Sequence, residues 1–535
     1  MKRKTLVLPT VVGILTPLMA ACGTTVTGGG DGGTITVGTT DQFTVSKEAP
    51  APLDPAYAYD TATWNLLRQT LQTLMTLPHG GGDPVPEAAQ SCDFTDSGSS
   101  HYACTLRDDL KFANGHDVTA KDVKYSIERV RAINAETGAA ALFSNIAGID
   151  TQGDKKVVFN LKAPDATFPF KLATPPAGIV DPETYDKTSL RRGFKLDGSG
   201  PYKMSAQVKD DVLVKATFTR NGRYKGQLKP KNDKVELRSF PGDPDAMGKA
   251  LEDGGIDLMT RTMSPEQVKK YANDVSTDYN FVESAGLEIR YLAFNTDAAP
   301  VKNKAVRQAM AQVVDRGALA TGAYGTASEP LYSLIPAGIT GHTNAFFNTY
   351  GEPSRDKAES TLRDAGITTP VKLTLYYTTD HYGSGTKKEF EILQKQLNDS
   401  KLFDIDIKGV KWNDFRDREL DGDYAAYGMG FFPDFPDPDN FTAAFLDADN
   451  FLNSPYANDT VRNNLIPASR KEADRLGAAD DFSQVQDIVA KDVPVLPLWQ
   501  GKQYVVAHDE IQGVEWTLDS SSNLQLWELS RGKSG

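Results

Sequence analysis

Only one stretch of this chain is apolar enough to interest a bilayer, and it stands at the front. Lys2, Arg3 and Lys4 precede a mostly apolar run over residues 6–18, interrupted by Pro9 and Pro17. That pattern reads as a targeting segment rather than as part of the fold. Nowhere beyond it do 18 or more apolar residues follow one another, which excludes a multi-pass helical membrane protein. The rest of the chain must bury its apolar residues within itself. At 535 residues it exceeds what one hydrophobic core usually organises, so two or more lobes are expected.

The run ends in Leu18-Met19-Ala20-Ala21-Cys22, followed by Gly23. Small residues before a cysteine suit a peptidase pocket, and the thiol is the nucleophile available to accept a lipid. The pattern resembles the lipobox of bacterial lipoproteins, so residues 1–21 are expected to be a signal peptide and Cys22 the lipidated residue. Removing residues 1–21 takes away three cations, leaving 55 Lys plus Arg against 71 Asp plus Glu, and the net charge moves from −13 to −16. So acidic a chain is a poor nucleic-acid ligand. Residues 22–33 contain TTVTGGGDGG, too poor in apolar residues to fold, and read as a tether. Cys92 and Cys104 remain in an oxidising compartment and are expected to form a disulfide across a small hairpin.

Along the body, the spacing predicts strands at 34–39, 102–106, 155–161, 211–218, 235–240, 289–295, 371–377, 403–410 and 493–504. Helical spacing predicts an early helix over 63–77 and others near 247–251, 305–313 and 389–397. Thr119 is the expected cap of a further helix, with Asp122 completing a capping box and Val123, Ile127 and Val130 forming its buried stripe. Residues 524–529 could close a sheet. The whole is mixed α/β without an internal repeat.

No catalytic constellation emerges. His-Glu-x-x-His, Gly-x-Ser-x-Gly and the P-loop are absent. The six histidines, at 79, 101, 116, 342, 381 and 508, lack ligand-like spacing and read as surface or turn residues. Ser354 and Lys357 match Ser-x-x-Lys in polar surroundings that do not suit a nucleophile. Asp437, Asp439, Asp447 and Asp449 lack the glycine and terminal glutamate of a calcium loop and read as acidic turns. No metal, cofactor or catalytic residue is expected, which points to a binding protein rather than an enzyme.

The run LRDDLKFANGHDVTAKDVKYS over residues 106–126 resembles the signature of the family 5 extracellular solute-binding proteins. This family includes oligopeptide-, dipeptide- and nickel-binding components of ABC importers. Gly198-Ser199-Gly200-Pro201-Tyr202, residues 221–238, Phe294-Asn295-Thr296 with Val306-Arg307-Gln308-Ala309, and GFFPDFPDPDNF over residues 430–441 resemble further family segments in the family's order.

The resemblance implies a periplasmic-binding-protein-like type II (cluster C) α/β fold. Two lobes would enclose a ligand cleft beside an extra subdomain. Lobe I would take 34–60, 195–288 and 490–535, the subdomain 61–194 and lobe II 289–489. Crossovers would lie near Glu288-Ile289 and Asp492-Val493.

A monomeric receptor is implied, which captures a peptide outside the cytoplasm and delivers it to ABC permease subunits coupled to ATPases. The same scaffold also serves nickel chelates, haem, opines, oligosaccharides and peptide signalling. By the resemblance, Asp434 would pair with a ligand ammonium. Phe431, Phe432, Phe435 and Trp412 are candidate cleft-wall residues, although pattern does not separate wall from core for any one of them. Asp437, directly before Pro438, reads as a turn former. Many relatives have Gly-Trp where this chain has Gly430-Phe431.

Overall fold

The computed structural model describes residues 33–47, 49–260, 263–383 and 385–532. The signal peptide, most of the tether and Cys22 lie outside them.

Ten strands follow one another in a single hydrogen-bonded sheet, and an eleventh, Ser328–Pro330, pairs beside them. From one edge come Phe403–Val410, Val371–Thr378, Ala426–Phe431, Tyr279–Phe294 and Val495–His508. Leu258–Thr260, Ile35–Thr39, Lys234–Ser239, Val212–Arg220 and Tyr202–Lys209 continue to the other edge. The sheet is one, but the cores packed on it are several. One gathers side chains from Leu287 to Trp499. A second joins Ile35, Leu237, Val505 and Leu526. A third, from Ala56 to Ile179, belongs to the extra subdomain. These three units are two lobes and a subdomain.

The two long strands, Tyr279–Phe294 and Val495–His508, run antiparallel through both lobes. Their register slips between Ala285 and Ile289, opposite Gln500–Lys502. That slip interrupts the ladder while pairing holds on both sides of it. It places the return to the first lobe after Trp499, later than the Asp492-Val493 crossover read from sequence. Val493, Val495 and Leu496 are still packed in the second lobe's core, the one that runs from Leu287 to Trp499. An extended, proline-interrupted run does not reveal which core it serves.

The subdomain is built on an antiparallel sheet in the order Ala89–Phe94, His101–Leu106, Lys156–Leu161, Ile146–Gln152. Cys92 and Cys104 face each other in it and are disulfide-bonded. The helix Ala120–Ile133 carries the expected capping box, and Val123, Ile127 and Val130 are buried.

The early helix is shorter than its spacing suggested, spanning Thr61–Thr70. Gly200 N–H donates to the Thr70 carbonyl at 2.8 Å, and a side chain at Gly198 or Gly200 would overlap that carbonyl. The glycine-proline turn thus closes the helix from outside. Leu74 and Met75, which extended the helical pattern, are buried after the helix has ended. Residues 524–529 close no sheet; Leu526–Glu528 is a short 3-10 turn, and Ser530–Arg531 pairs with Ile511–Gln512.

Candidate functional site

A cavity of about 680 Å³ lies between the lobes. Its first-lobe wall is the start of the helix Thr61–Thr70, whose Trp64, Leu66 and Leu67 pack in the first lobe's core rather than in the subdomain to which the resemblance assigned them. Asp60 caps that helix, accepting from Thr63 N–H at 2.8 Å and Thr63 Oγ1 at 2.7 Å. The cap fixes the approach of Tyr59 and the position of Trp64, whose rings lie 5.7 Å apart, with Trp64 Nε1 donating to the Ala58 carbonyl at 3.0 Å.

The second-lobe wall rises from the end of the strand Ala426–Phe431 and the segment after it. A side chain at Gly430 would run into the Arg290 guanidinium and push it aside. The Arg290 guanidinium in turn lies 3.8 Å from the Tyr382 ring centre, beneath the cleft wall. Tyr382 donates to the Gly430 carbonyl at 3.3 Å. Trp412, opening the helix Trp412–Leu420, stacks on His381 at 3.7 Å with the rings 4° from parallel. Burial and the nearby Arg290 push His381 down to about 4, so it faces the cleft as neutral imidazole near pH 7.

Four of the five ligand-site candidates border this cavity: Asp434, Phe432, Phe431 and Trp412. Phe431 is anchored from behind by Phe445, Phe441 and Phe451, with centroids 5.1–5.6 Å away. Phe432 is 39% exposed and extends into the open space.

The fifth candidate needs correcting. Phe435 is 3% exposed and does not line the cavity; its ring packs against Phe170 of the subdomain, 5.9 Å away. In this proline-flanked turn successive side chains diverge, so the backbone that presents Asp434 to the cleft sends Phe435 to the contact behind it. Ala166 N–H to the Arg470 carbonyl (2.8 Å) and Ser99 Oγ to the Lys471 carbonyl (3.0 Å) make that same contact.

Asp434 is half-buried at the edge of the cavity. Across the cleft, Tyr59 donates its hydroxyl to Asp434 Oδ2 at 3.0 Å. The Asp434 main-chain N–H donates to Asn440 Oδ1 at 2.8 Å, which holds the turn. Burial pushes the carboxyl up to about 6, and Tyr59, Asn440 and Lys171 only partly oppose that shift. The site thus holds a carboxylate that lacks a contacting cation among the described residues, and an ammonium placed there would relieve its desolvation.

The remaining acids of this segment are taken up structurally. Asp437 caps the helix Pro438–Leu446 and receives Arg475 through Nε (2.7 Å) and Nη2 (2.9 Å). Arg470 bridges Asp439 at 3.0 Å and Asp447 at 3.1 Å. Ser354 caps the helix Arg355–Asp364 by accepting from Lys357 N–H, which accounts for the Ser-x-x-Lys spacing.

Sequence reasoning missed Tyr59, His381, Tyr382 and Arg416. Only Tyr59 left a trace, since Asp60-Thr61-Ala62-Thr63 is a cap pattern that sets the preceding residue at a helix mouth. Arg416 faces the cavity with its charge balanced by the buried Glu419.

The pattern described as "Bacterial extracellular solute-binding proteins, family 5 Middle" matches residues 83–453. The dipeptide-binding protein of Bacillus subtilis (strain 168) is 23% identical over 500 residues, covering 88% of each chain. Di/tripeptide-binding protein 1 of Pseudomonas aeruginosa (strain UCBPP-PA14) is 26% identical over 495 residues, covering 86% of this chain and 88% of the relative. Among solved structures, the periplasmic binding protein of Helicobacter pylori in complex with the peptide STSA superposes with a TM-score of 0.75. It is 23% identical, over 94% of this chain and 98% of that one. With its two lobes, subdomain and interlobe cavity, the chain belongs to the family 5 bacterial extracellular solute-binding proteins, which are receptors working outside the cytoplasm rather than enzymes.

Proposed function

We propose that the protein is the substrate-binding lipoprotein of an ABC importer. It captures short peptides in the interlobe cavity and delivers them to a permease driven by separate ATPase subunits, held meanwhile at the membrane by lipid on Cys22. The observation that carries the peptide reading is Asp434, a carboxylate facing an aromatic-walled cleft without a contacting cation among the described residues. A free α-ammonium supplies the missing charge, and Phe432, Trp412 and Trp64 offer apolar surface to the side chains that follow it. The peptide-binding names of the relatives support the same reading.

Closure follows from differential affinity: a ligand touching both walls stabilises the state in which they are close. The register slip at 285–289 and 500–502 is the hinge of that closure, bending while strand pairing persists on either side.

Mass spectrometry of what the purified, denatured protein releases tests the reading. A set of short peptides with free N-termini is the expected result; a metal chelate, haem, opine or glycan would overturn it.

Binding should also depend on pH in a definite direction. In the empty cleft the Asp434 carboxyl keeps its proton up to about pH 6, and a bound ammonium lowers that value. Above this pH the carboxylate is already formed and affinity is level. Below it, deprotonation must accompany binding, so affinity falls by up to about tenfold per pH unit, with one proton released per peptide. Calorimetry in buffers of different ionisation heat measures that proton, and an affinity unchanged from pH 7 to 5 would contradict the assignment.

A further inference from the structure

A second hollow, of about 840 Å³, opens between the first lobe and the subdomain. Its first-lobe wall is the connection between the strands Val212–Arg220 and Lys234–Ser239. From 220 to 234 this segment carries Arg220, Arg223, Lys225, Lys229, Lys231 and Lys234 against one acid, Asp233. The segment is therefore opposite in sign to the body that carries it.

Acids do reach some of these cations. Asp233 pairs with Arg220 at 3.0 Å, Asp109 with Lys225 at 3.3 Å, Glu528 with Lys231 at 2.9 Å and Glu236 with Lys234 at 3.1 Å. Asp108, across the hollow, is paired with Lys155. Arg107, Arg223 and Lys229 instead direct hydrogen bonds to main-chain carbonyls, those of Glu87 (2.6 Å), Ala113 (3.2 Å) and Gly226 (3.2 Å). A carbonyl satisfies an N–H group but does not neutralise its charge.

The segment is also built to hold its shape. Buried Glu87 accepts from Tyr224 hydroxyl (2.5 Å), Gln227 N–H (2.6 Å) and Gln72 Nε2 (3.0 Å). Asn232 Nδ2 donates to the carbonyls of Leu526 (2.7 Å) and Leu529 (2.8 Å). The cations thus project from an ordered platform, so little freedom remains to be lost on binding.

Its position is set by the sheet. Ile35–Thr39 and Lys234–Ser239 are parallel, with Ile35 opposite Val235, so residue 34 and the basic segment share one end of the molecule. Residues 22–33 cannot span more than about 40 Å even fully extended. The cleft lies in the other direction: the helix Thr61–Thr70 begins at the cavity, and Gln72, just past its end, donates to the Lys225 carbonyl at 3.0 Å.

We propose that this basic face is a docking surface for the anionic phospholipid headgroups of the membrane to which Cys22 tethers the protein. The proposal rests on the anchoring part of the function proposed above. A membrane-proximal cluster of Lys and Arg is drawn to an anionic bilayer within about a Debye length, whereas the acidic remainder is repelled. The two together turn this face toward the bilayer while the receptor is free of the permease, which leaves the cleft open to the surroundings for capture; delivery requires the face to be released.

The test uses the chain from residue 23 onward, which retains every described element and carries no lipid. It is sedimented with vesicles of phosphatidylcholine alone or mixed with phosphatidylglycerol. Binding about tenfold or more stronger to the anionic vesicles is expected, since each basic residue near such a surface adds several-fold. That excess should vanish in salt sufficient to shrink the Debye length to about 3 Å. It should also vanish in the exposed triple variant Arg223→Glu/Lys225→Glu/Lys229→Glu, but persist in Lys387→Glu/Lys395→Glu on the second lobe. Peptide affinity and melting temperature, measured in parallel, should be unchanged in both variants, which separates failure here from failure of the peptide reading or of folding.

Equal binding to neutral vesicles, or anionic binding that survives the triple variant, would overturn the proposal. So would saturable binding of inorganic phosphate at this face, which would mark a soluble-anion site instead. Peptide import lost in the triple variant with vesicle binding intact would assign the face to the permease.

Discussion

Replacing Asp434 with Asn is expected to weaken binding of a free-amine peptide by about 2–5 kcal/mol, the range for breaking an enclosed charge pair. In affinity that is a loss of about 30-fold to several thousand-fold. The amide keeps the size of the side chain and can still accept from Tyr59, so the wall should stand and the fold persist. What disappears is the charge that repays desolvation of the ligand ammonium. N-acetylating the peptide removes the other half of the pair and should cost wild-type protein a similar amount, with little further loss in the variant. Titration calorimetry of the four combinations isolates the coupling. Additive losses, or none, would show that Asp434 does not read a peptide terminus. The variant should also lose the pH dependence, because Asn does not titrate.

The second large effect concerns stability. Arg475→Met leaves Asp437 buried without its counter-charge and should destabilise the protein by about 3–5 kcal/mol. Asp437 and Arg475 side chains are 1% and 5% exposed, so solvent cannot take over the missing contacts. The sign of the pH effect follows from the carboxyl. Burial already pushes Asp437 up and Arg475 opposes that shift; without the arginine the folded value rises further above the unfolded one of about 3.9. The folded variant then binds the proton more tightly than the unfolded chain does. Its deficit should be full above the folded pKa and shrink as pH falls through it. Urea unfolding at pH 7.5 and at pH 5 tests this. Asp437→Asn added to Arg475→Met keeps the cap and should recover part of the loss; an additive further loss would show that the pair is not the cause.

Much of the architecture was legible because it is written in short-range signals. Thr119 with Asp122, the alternation at 371–377 and 403–410, and the glycine-proline turn at 198–202 each specify local backbone. Failures occurred where a distant segment decided. Helical spacing continued past Thr70, but Gly198 and Gly200, more than a hundred residues on, close the helix there. Val493 looks the same in sequence whether it serves one core or the other. In the site, Asp434 was found through a resemblance, because the surrounding prolines and aromatics form a recognisable run. His381 and Arg416 were not found, because a histidine or arginine gives no sign of facing a cleft until the opposite wall is known. Phe435 shows the limit most sharply: two neighbouring residues in one motif face opposite ways, and composition alone does not tell them apart.

The strand Val495–His508 has a consequence for how the protein comes into being. Val495, Leu496 and Leu498 complete the second lobe's core, while Val505 and Ala507 complete the first lobe's. In chain order this strand follows the ten others of the sheet. Until it arrives the first lobe lacks the neighbour of Leu258–Thr260, and the second lacks the partner of Tyr279–Phe294. Neither can finish early and wait for the other, as consecutive domains do during synthesis. The receptor's maturation is therefore timed by this strand. A protease meets an incomplete molecule until it has paired, and a nearly whole one soon afterwards.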